Sequence, residues 1–328
     1  MIVDWHHFDQ FMTSPAANRD RFYAIWKQVA SHYASASEAL AFELLNEPNG
    51  AATTAVMNGI YPEAIRQIHL INPKRTLFVA PGQWSGIDEL KTGTDSGLVL
   101  PNDDQNLIVT VHCYDPFYFC LQGAEWALPD TATVGVKFPG PPSTPLKVDS
   151  SITHDWVLQW FRDYNTKPVS SNPSAPFAFL SKLRKLRNWA DYWGRPIHVG
   201  EWGCYSKADS ASRLAYHQAF RTALDAQRLG WAMWDWKAGF HYIKNGVPDP
   251  PGMREAIFPA PILTITDGSS IRAEGALGKT YVVQQANPLT IPFQWQTVST
   301  QTLTTNIFLY PISKVSQPAL VYRILWQR

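Results

Sequence analysis

The chain has 328 residues, of which 45% are hydrophobic, and its 28 basic residues nearly balance its 27 acidic ones. This length accommodates one large domain with a small one, or two modest domains. The basic residues are scattered, and no apolar run approaches the ~20 residues that span a bilayer, which argues against nucleic-acid and membrane partners. The chain holds 14 Trp, 13 Tyr and 16 Phe. Such aromatic content suits a neutral, flat-faced ligand such as a sugar chain.

Predicted strands and helices alternate along the first 240 residues. Strands are predicted at 1–8, 40–46, 76–80, 107–112, 196–200 and 231–236. Helices are predicted from Ser14-Pro15 onward, at 61–71, at 177–193 and at 210–229. The proline-rich stretch 114–148 has no helical period and is predicted to be a long loop. A βα repeat of this kind favours a parallel sheet wrapped by helices.

The second strand ends in Asn46-Glu47-Pro48. Pro48 lacks an N–H and cannot continue a strand, so Glu47 is expected at the carboxyl end. Period-two alternation would then place Glu43, Leu45 and Glu47 on one face. If that face lines a closed parallel barrel, Glu47 lies at the mouth where such barrels do chemistry. The alternative is a surface acid after a strand.

After residue 258 the pattern changes to short alternating segments separated by Gly, Pro, Ser or Asn. Strands are predicted at 262–266, 281–285, 293–298, 306–310 and 320–325. This pattern is typical of a small all-β module of sandwich type. The predicted organisation is therefore an α/β domain over 1–258 and a β-rich module over 259–328.

Each predicted strand of the first domain ends in polar or aromatic residues. These ends are Asp4-Trp5-His6-His7, Asn46-Glu47-Pro48, Gln83-Trp84, His112-Cys113-Tyr114, Glu201-Trp202-Gly203 and Trp234-Asp235-Trp236. In order and spacing over residues 2–240, the chain resembles glycoside hydrolase family 5, the retaining cellulase and mannanase family. The segment 114–126 is also similar to bacterial members.

The resemblance implies that Glu47 is the general acid/base and Glu201 the nucleophile. A retaining glycosidase attacks the anomeric carbon with one carboxylate while the other protonates the leaving oxygen and later activates water. The two carboxyl groups should therefore lie about 5–5.5 Å apart. At that separation both do not ionise readily, so the expectation is a raised pKa at Glu47 and a charged Glu201.

The resemblance also implies a substrate-binding set. Asn46 matches the residue that holds the sugar 2-hydroxyl, Tyr114 the tyrosine that bonds the nucleophile, and Trp234 the sugar platform. The remaining members of the set are His6, His112, Trp84 and Trp126. His7 is expected to point away from the cavity if His6 points in. No metal or cofactor is expected, and the three cysteines, Cys113, Cys120 and Cys204, are interpreted as free thiols, with a bridge between the first two as the alternative.

The sequence departs from the family in two ways. Family members have eight βα units, whereas six are visible here, and the first strand matches the family's third. The family arginine that bonds the nucleophile also has no counterpart. Six strands do not reproduce the closure of eight, so unpaired edges are expected at the first and last strands. A distorted pairing of these strands, the C-terminal module or a homodimer through the open edges could cover them.

The function predicted from these residues is internal cleavage of β-1,4-glucan by an extracellular enzyme, although this sequence carries no signal peptide. Hydrolysis of β-mannan or mixed-linkage glucan is the alternative within the same class. A catalytically weak remnant that only binds β-glucan is the alternative from another class. The intact set of Glu47, Glu201, Asn46 and Tyr114 favours the enzyme.

Overall fold

A computed structural model describes residues 1–93, 97–258, 262–266, 270–275, 278–287, 292–305, 307–312 and 320–327. The chain divides into two compact units, Met1–Pro250 and Pro251–Arg328. The functional boundary placed after residue 258 stays a prediction.

The first unit is built on one sheet of six parallel strands whose spatial order equals their order in the chain. The strands are β1 (Ile2–Asp4), β2 (Ala41–Glu43), β3 (Leu77–Val79), β4 (Leu107–His112), β5 (Ile197–Glu201) and β6 (Gly230–Trp231). Neighbouring strands pair in register, for example Asp4 with Glu43 and Glu43 with Phe78. This arrangement confirms the predicted α/β fold with six βα units, in the form of an open half-barrel.

Helices connect and cover the strands. They are α1 (Asp9–Thr13), α2 (Pro15–His32), α3 (Thr54–Ile71), the short turn α4 (Gly82–Ser85), α5 (Phe117–Cys120), α6 (Asp155–Thr166), α7 (Phe177–Trp193) and α8 (Ser210–Ala226). Side chains of Thr53 and Asp209 cap the N-termini of α3 and α8, as short polar residues do. Gly194 ends α7 in the left-handed conformation, which glycine adopts without a Cβ clash.

Three predicted elements differ from the structure. The predicted loop 114–148 contains α5 and a short 3₁₀ helix at Glu125–Ala127, and α6 follows it without having been predicted. The strand predicted at 40–46 is regular only over β2, because Asn46 N–H turns to the carbonyl of Trp5. The strand predicted at 231–236 is regular only over β6. Beyond it the N–H of Trp234 bonds to the carbonyl of Trp202, which belongs to the loop after β5.

The core of the first unit lies between the sheet and its helices. Trp26 on α2 is 2% exposed, packs on Phe42 of β2, and donates its indole N–H to the carbonyl of Leu44 over 2.9 Å. A buried guanidinium, that of Arg75, donates to the carbonyls of Ser37 and Ala36 just after α2. These contacts fix the end of α2 and the start of β2, and so the position from which the chain runs to Glu47.

The second unit contains the helix α9 (Met253–Ile257) and two three-stranded antiparallel sheets. Their strands are β9 (Ile262–Thr266), β10 (Ser270–Glu274), β11 (Thr280–Ala286), β12 (Gln296–Thr302), β13 (Ile307–Pro311) and β14 (Val321–Gln327). β10 was not predicted, and β12 overlaps the strand predicted at 293–298 but begins three residues later. Ile271 and Phe308 of one sheet and Val283 of the other share one apolar core. The prediction of a small all-β module is confirmed. A two-stranded hairpin, β7 (Ile243–Lys244) with β8 (Val247–Pro248), belongs to the first unit.

Among the described residues, no helix is both long enough and apolar enough to cross a bilayer.

Candidate active site

Glu47 and Glu201 face each other across the carboxyl ends of β2 and β5. A carboxylate oxygen of each, together with Nδ1 of His112 between them, lies within 4.8 Å of the others. Glu201 is the last residue of β5, whereas Glu47 lies four residues after β2 with φ at 47°. A turn with positive φ, and not strand alternation, therefore brings Glu47 to the cleft. Since β2 ends at Glu43, the period-two alternation from which one shared face of Glu43, Leu45 and Glu47 was predicted does not extend to Glu47.

His112, the last residue of β4, binds both carboxylates. Its Nδ1 lies 2.8 Å from Oε1 of Glu47 and 3.4 Å from Oε2 of Glu201. Burial of the ring disfavours its charged form, but the hydrogen bond to Glu47 and the charges of Glu201 and Glu43 outweigh burial and raise the pKa of His112. One ring nitrogen of His112 therefore lies between the two carboxylates and contacts both.

Glu201 is held by Tyr114, whose hydroxyl donates to Oε2 over 2.7 Å. Burial raises the pKa of Glu201, and the nearby charge of Glu47 acts in the same direction. The charge of His112 and the Tyr114 hydrogen bond oppose this rise without cancelling it. Glu201 was expected to be fully charged, whereas burial raises its pKa and so disfavours the charged form.

His6 and Trp234 form a stacked pair at one side of the catalytic pair. Their ring centroids lie 5.2 Å apart with planes only 6° from parallel. Nδ1 of His6 lies 2.8 Å from Oδ2 of Asp4, and this hydrogen bond raises the pKa of His6. Asn46 is buried beside them, with its amide 3.5 Å from the carbonyl of His6. One face of the Trp234 indole is therefore covered by His6.

These residues line one cleft of about 1040 Å³. All nine predicted site residues line it: Glu47, Glu201, Asn46, His6, His112, Tyr114, Trp234, Trp84 and Trp126. His7 also lines the cleft, so the prediction that it points away is wrong. Strand alternation does not apply there, because β1 ends at Asp4.

Two exposed indoles extend the cleft away from the catalytic pair. Trp84 is 56% exposed and Trp126 is 63% exposed. Trp84 lies in α4, where Gln83, Trp84 and Ser85 all have φ near 55°. Left-handed backbone costs roughly 1–2 kcal/mol per L-residue, so this turn is strained unless its surroundings hold it.

Thr54 supplies that support. Its hydroxyl donates to the carboxylate of Glu89 and accepts the N–H of Gly82 at 2.9 Å. The N–H of Trp84 itself bonds to the carbonyl of Pro48, 3.1 Å away. The turn that carries Trp84 is therefore hydrogen-bonded to the same turn that carries Glu47.

Two residues that belong to the site were not among the predicted site residues, although Glu43 had been placed on the face expected to line the barrel. Glu43 is 7% exposed beneath His112, and burial raises its pKa to about 7. Lys182 of α7 reaches the cleft and pairs with Asp115 at 2.6 Å. The helical pattern of α7 gave no indication that Lys182 would reach the cleft. A buried acid within the apolar run of β2 was visible in the sequence, and its position next to a catalytic strand end was the available signal.

The trio of Glu47, His112 and Glu201 is also the only group of three such side chains, within the described part of the chain, close enough to hold a metal ion. Both Glu47 and Glu201 already have hydrogen-bond partners in Nδ1 of His112 and the hydroxyl of Tyr114. As they stand, the two carboxylates are arranged for proton transfer and for attack on an electrophilic carbon.

The family model for cellulases, glycosyl hydrolase family 5, matches residues 1–239 of this chain. The chain belongs to glycoside hydrolase family 5. The resemblance seen in the strand-end residues is thereby confirmed.

Curated relatives in family 5 include Endoglucanase 3 of Fibrobacter succinogenes, which is 30% identical over 255 residues. That alignment covers 75% of this chain and 37% of the relative, so the chain spans little more than a third of that protein. Endoglucanase C of Acetivibrio thermocellus is 26% identical over 248 residues, covering 72% of this chain and 68% of the relative.

Among solved family 5 structures, Thermotoga maritima Cel5A in complex with cellobiose superposes with a TM-score of 0.64 at 28% identity. The superposition covers 78% of this chain and 72% of that one. A mannotriose complex of the same enzyme gives a TM-score of 0.63 at 27% identity, with the same coverage.

Proposed function

We propose that this protein is an endo-acting, retaining glycoside hydrolase that cleaves β-1,4-glucan, with Glu201 as nucleophile and Glu47 as general acid/base. The observation that carries the proposal is the facing pair: oxygens of the two carboxylates lie within 4.8 Å of each other in an aromatic cleft. Retaining enzymes hold their carboxyl groups about 5–5.5 Å apart, whereas inverting enzymes need about 6.5–9.5 Å to admit a water. The short separation supports the retaining mechanism.

The assignment of roles rests on what each carboxylate contacts. Glu201 accepts a hydrogen bond from the hydroxyl of Tyr114. This bond favours the charged form of Glu201, which a nucleophile requires. Glu47 contacts Nδ1 of His112 and is more exposed, at 29% of its side chain against 12% for Glu201. A group that must donate a proton to the leaving oxygen and then activate water benefits from this access.

The double displacement follows from these positions. Glu201 attacks the anomeric carbon and forms a glycosyl ester while the proton of Glu47 passes to the departing oxygen. Water then enters, Glu47 takes its proton, and the hydroxyl oxygen bonds to the anomeric carbon as the ester to Glu201 breaks. In both steps we assign to Asn46 the role of holding the 2-hydroxyl.

The cleft supports an internal cut in a long chain. Trp84 and Trp126 are exposed indoles that line it, and Trp234 lies beside the catalytic pair. Sugar rings stack on indoles along their apolar faces. Several such faces in one cleft suit a polymer that extends on both sides of the cut.

Hydrolysis of carboxymethyl cellulose by the purified chain, with Glu201→Gln and Glu47→Gln as controls, tests the proposal. Each substitution keeps the side-chain volume, and we expect a loss of rate of at least about 10³-fold with an unchanged melting temperature. Proton NMR should show the β-anomer as first product. An α-anomer as first product contradicts the mechanism, and binding of glucan without hydrolysis identifies the chain as a remnant that only binds.

β-Mannan is the second candidate substrate. Thermotoga maritima Cel5A, which shares this fold, is described in complexes with both cellobiose and mannotriose. The two sugars differ in the orientation of the 2-hydroxyl, which Asn46 would hold. Parallel assays on glucomannan, mannan, xylan and lichenan rank the substrates.

Extracellular location and self-association are further parts of the proposal. An insoluble polymer has to be met outside the cell, which favours export. Within the described sheet, β1 and β6 each pair on one side only, and such edges favour pairing with another strand. Light scattering of the purified chain distinguishes a homodimer from a monomer.

A further inference from the structure

A single basic side chain of α7 reaches into the cleft. Among the described residues that line the cleft, Lys182 is the only lysine or arginine. It comes from the middle of a helix and not from a strand end, and its side chain is 38% exposed. Lysine side chains usually keep their ammonium in bulk water. The catalytic pair gives Lys182 no role, so its place in the cleft needs an explanation.

Asp115 holds Lys182 in the cleft. Nζ of Lys182 lies 2.6 Å from Oδ2 of Asp115, and both side chains line the cleft. Burial lowers the pKa of Lys182, but the charge of Asp115 and the hydrogen bond to it outweigh burial and raise that pKa. The ammonium therefore stays charged. Asp115 directly follows Tyr114, the residue whose hydroxyl bonds to the nucleophile.

The ion pair lies on one side of the catalytic carboxylates, and Trp234 lies on the other. The six strands follow one another in chain order, with Glu47 after β2 and Glu201 at the end of β5. Asp115 follows β4, between those two strands, whereas Trp234 follows β6 and stacks on His6, which follows β1. A glycan that crosses the catalytic pair from the Trp234 side therefore runs toward the ion pair.

A second ion pair of α7 provides a comparison. Lys185 lies three residues after Lys182, on the same face of the helix. Its Nζ bonds to Oδ1 of Asp88 over 2.8 Å, and the side chain of Asp88 is 82% exposed, against 23% for Asp115. Lys185 does not line the cleft. Both pairs connect α7 to loops around the cleft, but only Lys182 offers its ammonium to a ligand there.

The two charged groups match a pair of neighbouring hydroxyls. An ammonium has three N–H donors and a carboxylate has two acceptor oxygens, so their mutual bond leaves capacity on both. A 1,4-linked glucose unit carries free hydroxyls on adjacent carbons, at positions 2 and 3. One hydroxyl can accept a hydrogen bond from the ammonium while its neighbour donates one to the carboxylate. Hydrogen bonds to charged groups are stronger than those between neutral groups.

We propose that Lys182 and Asp115 form a sugar subsite that binds the 2- and 3-hydroxyls of a glucose unit on the β4 side of the cleavage site. The inference rests on the proposed function and adds to it the side chains that contact the edge of a sugar ring. The indoles of Trp84 and Trp126 offer only faces. Because the two charges of the pair compensate each other, the subsite suits a neutral glycan.

Isothermal titration calorimetry tests the subsite without hydrolysis, with Glu201→Gln as the parent protein. The dissociation constants of cellobiose and cellohexaose are compared in the parent and after addition of Lys182→Met or Lys185→Met. Methionine keeps an apolar stem and removes the ammonium. Cellobiose is too short to reach from the Trp234 side to the ion pair. We expect the gain in affinity from cellobiose to cellohexaose to be about tenfold smaller with Lys182→Met, because a hydrogen bond to a charged group is lost. Lys185→Met should keep the gain of the parent.

The comparison between the two lengths separates contact with the sugar from support of the fold. If Lys182 only holds Asp115 and its loop in place, Lys182→Met changes the affinity for both ligands by the same factor, and the inference is overturned. Melting temperatures show whether each variant is folded. Should Lys182→Met fail to fold, Lys182→Gln keeps a polar end that can bond to Asp115 without the charge, and the same comparison decides.

The subsite and the proposed function can fail separately. If the wild-type chain hydrolyses no glycan but Lys182→Met selectively weakens the binding of cellohexaose, the proposed function fails and the subsite stands. If glycan is hydrolysed and Lys182→Met keeps the gain of the parent, the subsite fails and the proposed function stands. A parent protein that binds neither ligand overturns the subsite as well.

Discussion

The hydroxyl of Tyr114 lies 2.7 Å from Oε2 of Glu201 and donates its hydrogen to it. This bond opposes the rise that burial imposes on the pKa of Glu201. The charge of His112 is the other main influence that favours the charged carboxylate, so Tyr114 and His112 together keep the pKa of Glu201 from rising further.

Tyr114→Phe should move the acidic limb of the activity profile to higher pH. Removal of the donor raises the pKa of Glu201 further, and the nucleophile must be ionised to attack, so a higher pH is needed for the same rate. We expect a shift of about one pH unit and a fall in kcat of ten- to a hundredfold. A kcat/KM profile of both proteins measures this, and an acidic limb that stays in place contradicts the role given to Tyr114.

Glu43→Gln should stabilise the protein at neutral and alkaline pH. Burial raises the pKa of Glu43 from its ordinary value to about 7, so the folded state binds the proton more tightly than the unfolded state. The stability linked to this proton is fully present below the unfolded pKa and is lost as the pH rises through about 7. The amide of glutamine does not titrate, so Glu43→Gln does not lose this stability as the pH rises.

Urea unfolding at pH 4 and pH 8 tests the effect of Glu43. The gain in the free energy of unfolding for Glu43→Gln should be on the order of 3 kcal/mol at pH 8 and close to zero at pH 4. Glu38→Gln, at an acid whose side chain is 72% exposed, is the control and should change neither value appreciably. Equal effects of Glu43→Gln at both pH values would show that its proton is not linked to folding.

Trp126→Ala should raise KM for long cello-oligosaccharides with little change in kcat. The indole lines the cleft away from the catalytic pair, so its contacts are equal in the ground state and the transition state. We expect about a tenfold rise for cellohexaose, equivalent to ~1.4 kcal/mol. Trp156→Ala is a matched control, since Trp156 is also 63% exposed but stacks on His154 outside the cleft. Similar KM values for both variants would show that Trp126 does not contribute to binding of the oligosaccharide.

Arg75→Met should strongly destabilise the first unit. The guanidinium is 4% exposed and donates to four carbonyls between Tyr33 and Leu40, which a methionine would leave buried without donors. We expect a loss of about 3 kcal/mol in the free energy of unfolding. Arg66→Met, at an arginine that is open to solvent on α3, should leave the denaturation midpoint nearly unchanged. Equal midpoints for the two variants would contradict this account.

The strand order and the meeting of Glu47 with Glu201 were predictable from the sequence. Carboxyl ends of parallel strands gather at one edge, so an Asn-Glu-Pro and a Gly-Glu-Trp that close two such strands bring their acids together. The roles of the two acids remain predictions.

The details that escaped the sequence are those in which the backbone leaves the regular pattern. The positive φ of Glu47 and the turn that admits His7 to the cleft depend on tertiary contacts, which carry no local periodicity. Helix α6 did carry a signal, since Val157, Phe161 and Tyr164 are buried at helical spacing. Apolar neighbours on the exposed side, such as Trp156, obscured it.

The left-handed turn that presents Trp84 has a consequence for how these enzymes diversify. An L-residue turn of mirror-image hand persists only while its surroundings hold it, and here that support passes through the hydroxyl of Thr54 to Gly82 and Glu89. A change at Thr54, which is buried beneath the cleft wall, would let the turn relax and swing the indole. The position of the Trp84 indole in the cleft can therefore drift during evolution through Thr54, a buried residue that does not itself line the cleft.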